Sequence, residues 1–591
     1  MKTAPIVAAE VDFDTDPSTP RAPAFDDAYH PRGGGFEQAR HVFLDGNGLP
    51  ARWRGRARLC VGETGFGLGT NFLATWAAWR DDPARCGHLT FVAVEKHPLS
   101  RADLERAHAA SPCRALARQL IDAWPPLVPN LHALDFEDGR VRLLLGFGDA
   151  LPLLRHLVAR IDAFFLDGFA PARNAEMWSP ELFKALARLA APDATAATWS
   201  AARVVRDGLA SAGFEVRAAP GQGGKRDITL ARFAPRFAPP APPGRGLPGA
   251  APSHALVIGA GLAGAATARA LARQGVACTV IDAAGRAATQ ASGNPAGLLH
   301  GAVAVDDGPH ARLHRAAALH AARAMRGALG GLLRLETTRD FAAMQRLVAA
   351  QRLPADCVEA LDARAASARA GVALAAPAWW FVQGGAADPA ALARDWVPGP
   401  IVRAQVQRLA RAGLPQGGMH ARRGQLSWAA AADVRLRPRC PIAGNGYALA
   451  LADGGLLFGA TSQAADDDAN VRAADHAENL ARARVLLGGE PLREGALLHG
   501  RVGWRASTVD RLPLAGLVPD LQAPRPARRD APRLLRRAPG LSMLTGLGSR
   551  GLALAPLCAE LVAAQLVGAP WPLEADLVDA IDPARLALRQ S

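Results

Sequence analysis

Two glycine loops, each following an apolar run and opening a helical pattern, limit this chain's fold more than any other feature. GETGFGLGTNF spans residues 62–72, and VIGAGLAGAATARAL begins 195 residues later at Val257. A glycine-rich strand-to-helix turn lets backbone approach a ligand that a Cβ would exclude. Two such turns at this separation call for two crevices, and 591 residues are too many for one hydrophobic core.

The segment FAPRFAPPAPPGRGLPGAAP, residues 233–252, is dominated by proline and glycine and suits a semi-rigid linker. The expected organisation is therefore 1–235, a linker at 236–252, and 253–591. Before the linker, strand-like runs at Ala57–Gly62, Leu89–Glu95, Val141–Leu145 and Ala163–Asp167 alternate with helical patterns such as Asn71–Trp79 and Leu99–Ala109. That alternation predicts an α/β, doubly wound parallel sheet. After the linker, Ala255–Ile258, a helix to about Gln274 and Val276–Asp282 spell out a βαβ unit.

No stretch of about 18 residues is both uncharged and continuously apolar, so no membrane span is expected. The opening apolar run is broken by Glu10, Asp12, Asp14 and Asp16, unlike a secretory signal. Seven cysteines without a CxxC pair predict free thiols, a cytoplasmic setting and no metal site. The net charge of +14, with only four lysines among 68 basic residues, favours a polyanionic partner.

The first loop lacks the Gly-Lys-Ser/Thr ending of a phosphate loop and the G-x-G-x-x-G of a dinucleotide loop. Glu63, Gly65, Gly67 and Gly69 give E-x-G-x-G-x-G, the pattern of the S-adenosylmethionine loop of class I methyltransferases. Glu95 ends the next strand, where a carboxylate can accept from ribose hydroxyls. Asp149 follows a third strand, where it can read the adenine amino group, and Asp167 ends a fourth. Singly, each acid also suits a helix cap or a solvated turn. As an ordered set at strand carboxyl ends, they converge on one crevice.

GETGFGLGTNF, LDGFAPARNAEMW (166–178) and GGKRDITLARF (223–233) together resemble the methyltransferase half of the bifunctional tRNA 5-methylaminomethyl-2-thiouridine biosynthesis family. The resemblance implies that Asp167 is catalytic and that Lys225 and Arg226 are candidate RNA contacts. The chain departs from the family's usual loop order, reading GLGTNF for GTGLNF and GQGGKR for GFGxKR.

In the second loop, Gly259, Gly261 and Gly264 have G-x-G-x-x-G spacing, and Asp282 ends the next strand. That context fits a dinucleotide, with the pyrophosphate on the helix N-terminus and Asp282 on a ribose hydroxyl. Spacing alone does not separate FAD from NAD. LTGLGSRGLALAPLCAELVAAQL (544–566) resembles the closing FAD segment of the glycine-oxidase and D-amino-acid-oxidase superfamily. ATQASGNPAGLLHG (288–301) and GWRASTVDRLPLAG (503–516) resemble the oxidoreductase half of the same tRNA-modifying family. Implied FAD contacts are Gly259, Gly261, Gly264, Asp282, Ser292, Gly293, Asn294, Gly546, Gly548, Ser549 and Gly551. Arg505 and Arg550 are candidate binders of a substrate carboxylate. The implied ligands are FAD and S-adenosylmethionine. The implied partner is tRNA, modified at the wobble uridine by removal of a carboxymethyl group and then N-methylation. The sequence leaves the oligomeric state open, and a monomer is compatible with it.

One stretch departs from the superfamily. Between GGAADPAALARDWV and RRGQLSW lie only 24 residues, PGPIVRAQVQRLARAGLPQGGMHA, with no β-branched run to supply the strands expected there. A domain shortened around 397–422 leaves an alternative: a tRNA methyltransferase whose flavin half is degenerate and acts as scaffold or RNA-binding surface.

Overall fold

The computed structural model describes residues 1–16, 19–31, 34–221, 226–325, 329–403, 418–524 and 531–588. The chain divides into two compact units. The first comprises Met1–Ala241, Leu247–Ala250 and Val567–Asp576; the second comprises Pro242–Gly246, Ala251–Leu566 and Leu577–Ser591.

The first unit opens with a small hairpin, β1 (Arg21–Ala22) and β2 (Asp27–Ala28). Its main sheet is built from β3 (Arg58–Glu63), β4 (His88–Glu95), β5 (Leu131–Phe136), β6 (Val141–Phe147), β7 (Ile161–Phe165), β8 (Ala190–Thr198), β9 (Phe214–Pro220) and β10 (Asp227–Phe233). The spatial order is β5-β6-β4-β3-β7-β8-β10-β9. The five strands from β6 to β8 are parallel, as expected, while β5, β9 and β10 pair antiparallel at the edges. Central strands covered on both faces read as unbroken apolar runs, and β6, VRLLLGF, is buried at every position. The helix after β3, Thr70–Asp81, buries Phe72, Leu73 and Trp76; Phe72 meets Phe91 and Phe136 at 5.4 and 5.8 Å. Ser100 accepts the Asp103 N–H and starts the next helix at Arg101, two residues later than the pattern suggests. Strand order reverses at β3: β4 and β6 lie on one side, β7 and β8 on the other. Such a switch point opens a crevice at the strands' carboxyl ends.

In the second unit, β11 (His254–Ile258) and β12 (Ala277–Asp282) flank the helix Leu262–Arg273. The expected absence of a strand in the short segment is corrected here. Ile401–Arg403 forms a parallel strand on β12, with Val280 opposite Ile401. Two β-branched side chains suffice where a preformed edge supplies the pairing partner. Among the described residues this sheet has three strands. Val257 is buried, whereas Leu256 is 58% and Ile258 47% exposed, so one sheet face is uncovered among the described residues. Residues 404–417 lie outside the described residues. A larger mixed sheet of nine strands includes Leu332–Leu335, Ala378–Phe381, Met419–Ala429 and His499–Thr508. The last two pair antiparallel over ten residues. The apolar helix Gly551–Val567 follows the tail loop.

Candidate functional sites

At the switch point of the first unit lies a cavity of about 1180 Å³, lined by Gly65, Gly67, Glu95, Asp149 and Asp167 among others. Glu63 and Gly69 are not on its wall. β7 stops at Phe165, which leaves Asp167 on the following loop. The two loops are pressed together: Thr64 donates its hydroxyl to the Asp167 carbonyl at 2.7 Å, and a Cβ at residue 65 would lie 3.1 Å from that oxygen. That approach is tighter than most side chains tolerate, and the cradle fits a ligand held against bare backbone.

Glu63 sits behind this wall, 3% exposed. Its Oε1 accepts from Asn71 Nδ2 at 2.7 Å, while Oε2 is buried without a hydrogen-bond partner. Burial, and then the nearby Asp167 charge, push its carboxyl well above the usual range. The same Asn71 nitrogen donates to Asp167 Oδ2 at 2.7 Å. Asp167 Oδ1 accepts the Gly168 N–H at 2.9 Å and Trp199 Nε1–H at 3.2 Å. Both oxygens are thus fixed by donors, which sets the orientation of the carboxylate. Glu95 accepts from the Gly67 and His97 amides, both at 2.8 Å, and fastens the glycine loop to the end of β4. Burial still raises its carboxyl. Asp149 heads the helix Ala150–His156, and its carboxylate pairs with Lys96 Nζ at 2.9 Å. Arg226 is exposed just before β10; Lys225 lies outside the described residues. Sequence reasoning missed Asn71 and Trp199. Asn71 stands within GTNF, but a sequence gives no sign of which carboxylates its amide will meet.

In the second unit, a Cβ at residue 264 would fall 1.8 Å from the Gly259 carbonyl oxygen, so only glycine lets the helix start this close to β11. Asp282 Oδ2 accepts the Ala260 N–H and Oδ1 the Ala284 N–H, both at 2.9 Å, which locks the loop to β12. Ser292 Oγ accepts the Leu262 N–H at 3.0 Å, bringing the 292–294 segment to the helix N-terminus. Gly546 and Gly548 adopt φ of 71° and 56°, Ser549 is exposed, and Gly551 opens the final long helix. The Gly548 N–H donates to the Ala506 carbonyl at 2.8 Å, bringing the tail loop onto the strand that carries Arg505. Helix start, bare glycine backbone and acidic strand end fit a dinucleotide.

The two candidate arginines have different surroundings. Arg505 donates from Nη2 to the Thr461 carbonyl at 2.7 Å, and burial lowers its pKa. Burial, then Arg334, bring Arg550 down to about 10. Burial, then the Arg550 charge, hold His300 at about 3 and His314 at about 2. His314 is 1% exposed with neither ring nitrogen partnered, and its ring lies 4.3 Å from that of His310. The like charges of Arg550 and Arg334 would be relieved by an anion between them.

These sites define a methyltransferase of the S-adenosylmethionine type joined to an FAD-type oxidoreductase. Residues 111–234 match the family described as S-adenosyl-L-methionine-dependent methyltransferase. Residues 254–397 and 399–565 match the FAD dependent oxidoreductase family. Three curated relatives carry the name tRNA 5-methylaminomethyl-2-thiouridine biosynthesis bifunctional protein. One from Methylibium petroleiphilum is 50% identical, over all of this chain and 99% of its own length. One from Burkholderia multivorans is 44% identical over 97% and 96%, and one from Paraburkholderia phytofirmans 42% over 99% of each. The chain belongs to this family of bifunctional tRNA-modifying enzymes, with S-adenosylmethionine and FAD as the ligands of its two halves. The Methylibium match runs over 648 aligned positions, 57 more than this chain has residues, and the oxidoreductase match breaks at residue 398. The break falls at the short segment. The match nevertheless resumes and continues to 565, so a degenerate flavin half is not favoured.

Proposed function

We propose that the 253–591 half removes the carboxymethyl group from 5-carboxymethylaminomethyl-(2-thio)uridine at the tRNA wobble position, and that the 1–235 half then methylates the freed amine. The observation that carries this reading is full-length similarity to the named bifunctional relatives, together with two complete ligand loops. A tRNA substrate implies a cytoplasmic setting.

In the first reaction the chain's part is to hold the substrate. Arg550, beside Arg334 and the neutral His300 and His314, offers charge to the substrate carboxylate, with Arg505 as the second candidate. Bound FAD would supply the acceptor for the hydride, with its two electrons, that leaves the N–CH2 carbon while a proton leaves the nitrogen. Water then cleaves the oxidised linkage, giving glyoxylate and a primary amine. In the second reaction the amine nitrogen forms a bond to the methyl carbon as the sulfonium–carbon bond breaks, and a proton leaves the nitrogen. Asp167, held by Asn71, Gly168 and Trp199, orients the amine and accepts that proton. Arg226 and Lys225 are proposed phosphate contacts.

The test is the visible spectrum of the purified protein and its flavin-to-protein ratio after denaturation, followed by both assays on carboxymethylaminomethyl-tRNA. Near-stoichiometric flavin, glyoxylate release and subsequent methylation are expected. A colourless protein that cannot be reconstituted with FAD, yet methylates aminomethyl-tRNA, would leave methyl transfer alone.

A further inference from the structure

The cavity of the first unit has a wall that neither the glycine loop nor the acidic strand ends explain. The β1–β2 hairpin and the residue after it carry Phe25 and Tyr29, and both line the cavity together with Phe169, two residues beyond Asp167. Phe25 stacks on Phe169 with centroids 4.5 Å apart and planes 23° off parallel; Tyr29 meets Phe169 edge-on at 5.4 Å. Two polar ties fasten the hairpin to the same loop. Asp27 Oδ2 accepts the Ala170 N–H at 2.9 Å, and Asp26 pairs with Arg173 at 2.8 Å. Tyr29 also borders the glycine loop, since a Cβ at residue 67 would lie 3.3 Å from its ring.

All three rings are only half-buried. Large aromatic faces left partly bare in a concave site favour a flat apolar ligand surface. The cavity, at about 1180 Å³, exceeds the usual range for one small ligand, so it has room for an acceptor beside S-adenosylmethionine. An enzyme acting on a base must take that base out of its stack, and aromatic side chains replace the lost stacking. We propose that Phe25, Phe169 and Tyr29 form the stacking wall for the acceptor pyrimidine, presenting its aminomethyl group to Asp167. The hairpin then determines specificity for the acceptor rather than affinity for S-adenosylmethionine. This rests on the methyl-transfer reading above.

The test uses the full-length protein and tRNA bearing 5-aminomethyluridine. Phe25→Leu keeps apolar bulk and removes the π-face; Phe25→Tyr keeps the ring. Phe25→Leu is expected to raise KM for that tRNA by about 10- to 100-fold, the range of one lost base–aromatic stack. Phe25→Tyr is expected to restore it, with S-adenosylmethionine affinity by calorimetry and glyoxylate release from carboxymethylaminomethyl-tRNA unchanged in both. Phe169→Leu is expected to repeat the effect. Weakened S-adenosylmethionine binding at unchanged tRNA KM would assign the wall to the adenine and overturn the proposal, as would no change in either quantity. A wild-type protein that binds S-adenosylmethionine but methylates no aminomethyl-tRNA would overturn the parent reading, and the proposal with it.

Discussion

Replacing Asn71 by leucine would cut the link between two carboxylates that one amide now serves. Asn71 is 8% exposed and donates to Glu63 Oε1 and Asp167 Oδ2, both at 2.7 Å. The Glu63 bond is the lesser loss, because burial already drives that carboxyl toward its neutral form. The bonds to the Asp167 carboxylate from Gly168 and Trp199, at 2.9 and 3.2 Å, survive the change. A hydrogen bond to a charged group contributes about 1.5–3 kcal/mol, and about 1.4 kcal/mol of preference for one protonation state is one pH unit. A bond to the ionised form favours ionisation, so its removal makes Asp167 easier to protonate. The acidic limb of kcat/KM for methyl transfer should therefore move up by about one to two units. Above the displaced limb, the rate should fall less than about tenfold, because Gly168 and Trp199 still orient the group. The assay is transfer of labelled methyl from S-adenosylmethionine to aminomethyl-tRNA between about pH 5 and 9, with S-adenosylmethionine binding as control. Trp199→Phe should move the limb the same way by less, in line with its longer bond. A loss by one constant factor at every pH, with binding intact, would refute the view that Asn71 sets the ionisation of Asp167.

Glu63→Gln should change how stability responds to pH. The folded protein retains a proton on Glu63 above the usual carboxyl range, so the wild type loses stability as pH rises from that range toward the raised value. The glutamine variant lacks this slope, and its melting temperature should gain on the wild type as pH rises above the usual carboxyl range. Gly264→Ala forces a Cβ to within 1.8 Å of the Gly259 carbonyl, so purified protein should carry little flavin by absorbance while methylating aminomethyl-tRNA normally. Asp510→Ala strips Arg585, 5% exposed and held through Nε and Nη2 at 3.0 and 3.1 Å, of its carboxylate. Stranding a buried cation should cost about 3–5 kcal/mol in denaturant unfolding; a loss below about 1 kcal/mol would show that the pair behaves as an exposed one.

The sequence by itself determined both strand–glycine loop–helix units, the parallel centre of the first sheet and, to within two residues, the place of Asp167 at a strand's carboxyl end. Each of these is written in a short window: an apolar run, glycines at fixed spacing and a helical period. Tertiary structure decided what those windows meet. Asn71 reaches Asp167 across 96 residues, and Phe25 stacks on Phe169 across a longer span, through contacts that have no local periodicity. The strand Ile401–Arg403 was hidden for a related reason: three residues carry little strand signal, and the exposed edge of β12 supplies the pairing. Arg505 and Arg550 looked equivalent as two arginines in two motifs. Only the folded chain gives one a backbone carbonyl and the other a second guanidinium and neutral imidazoles, because charge environment depends on which distant elements pack together.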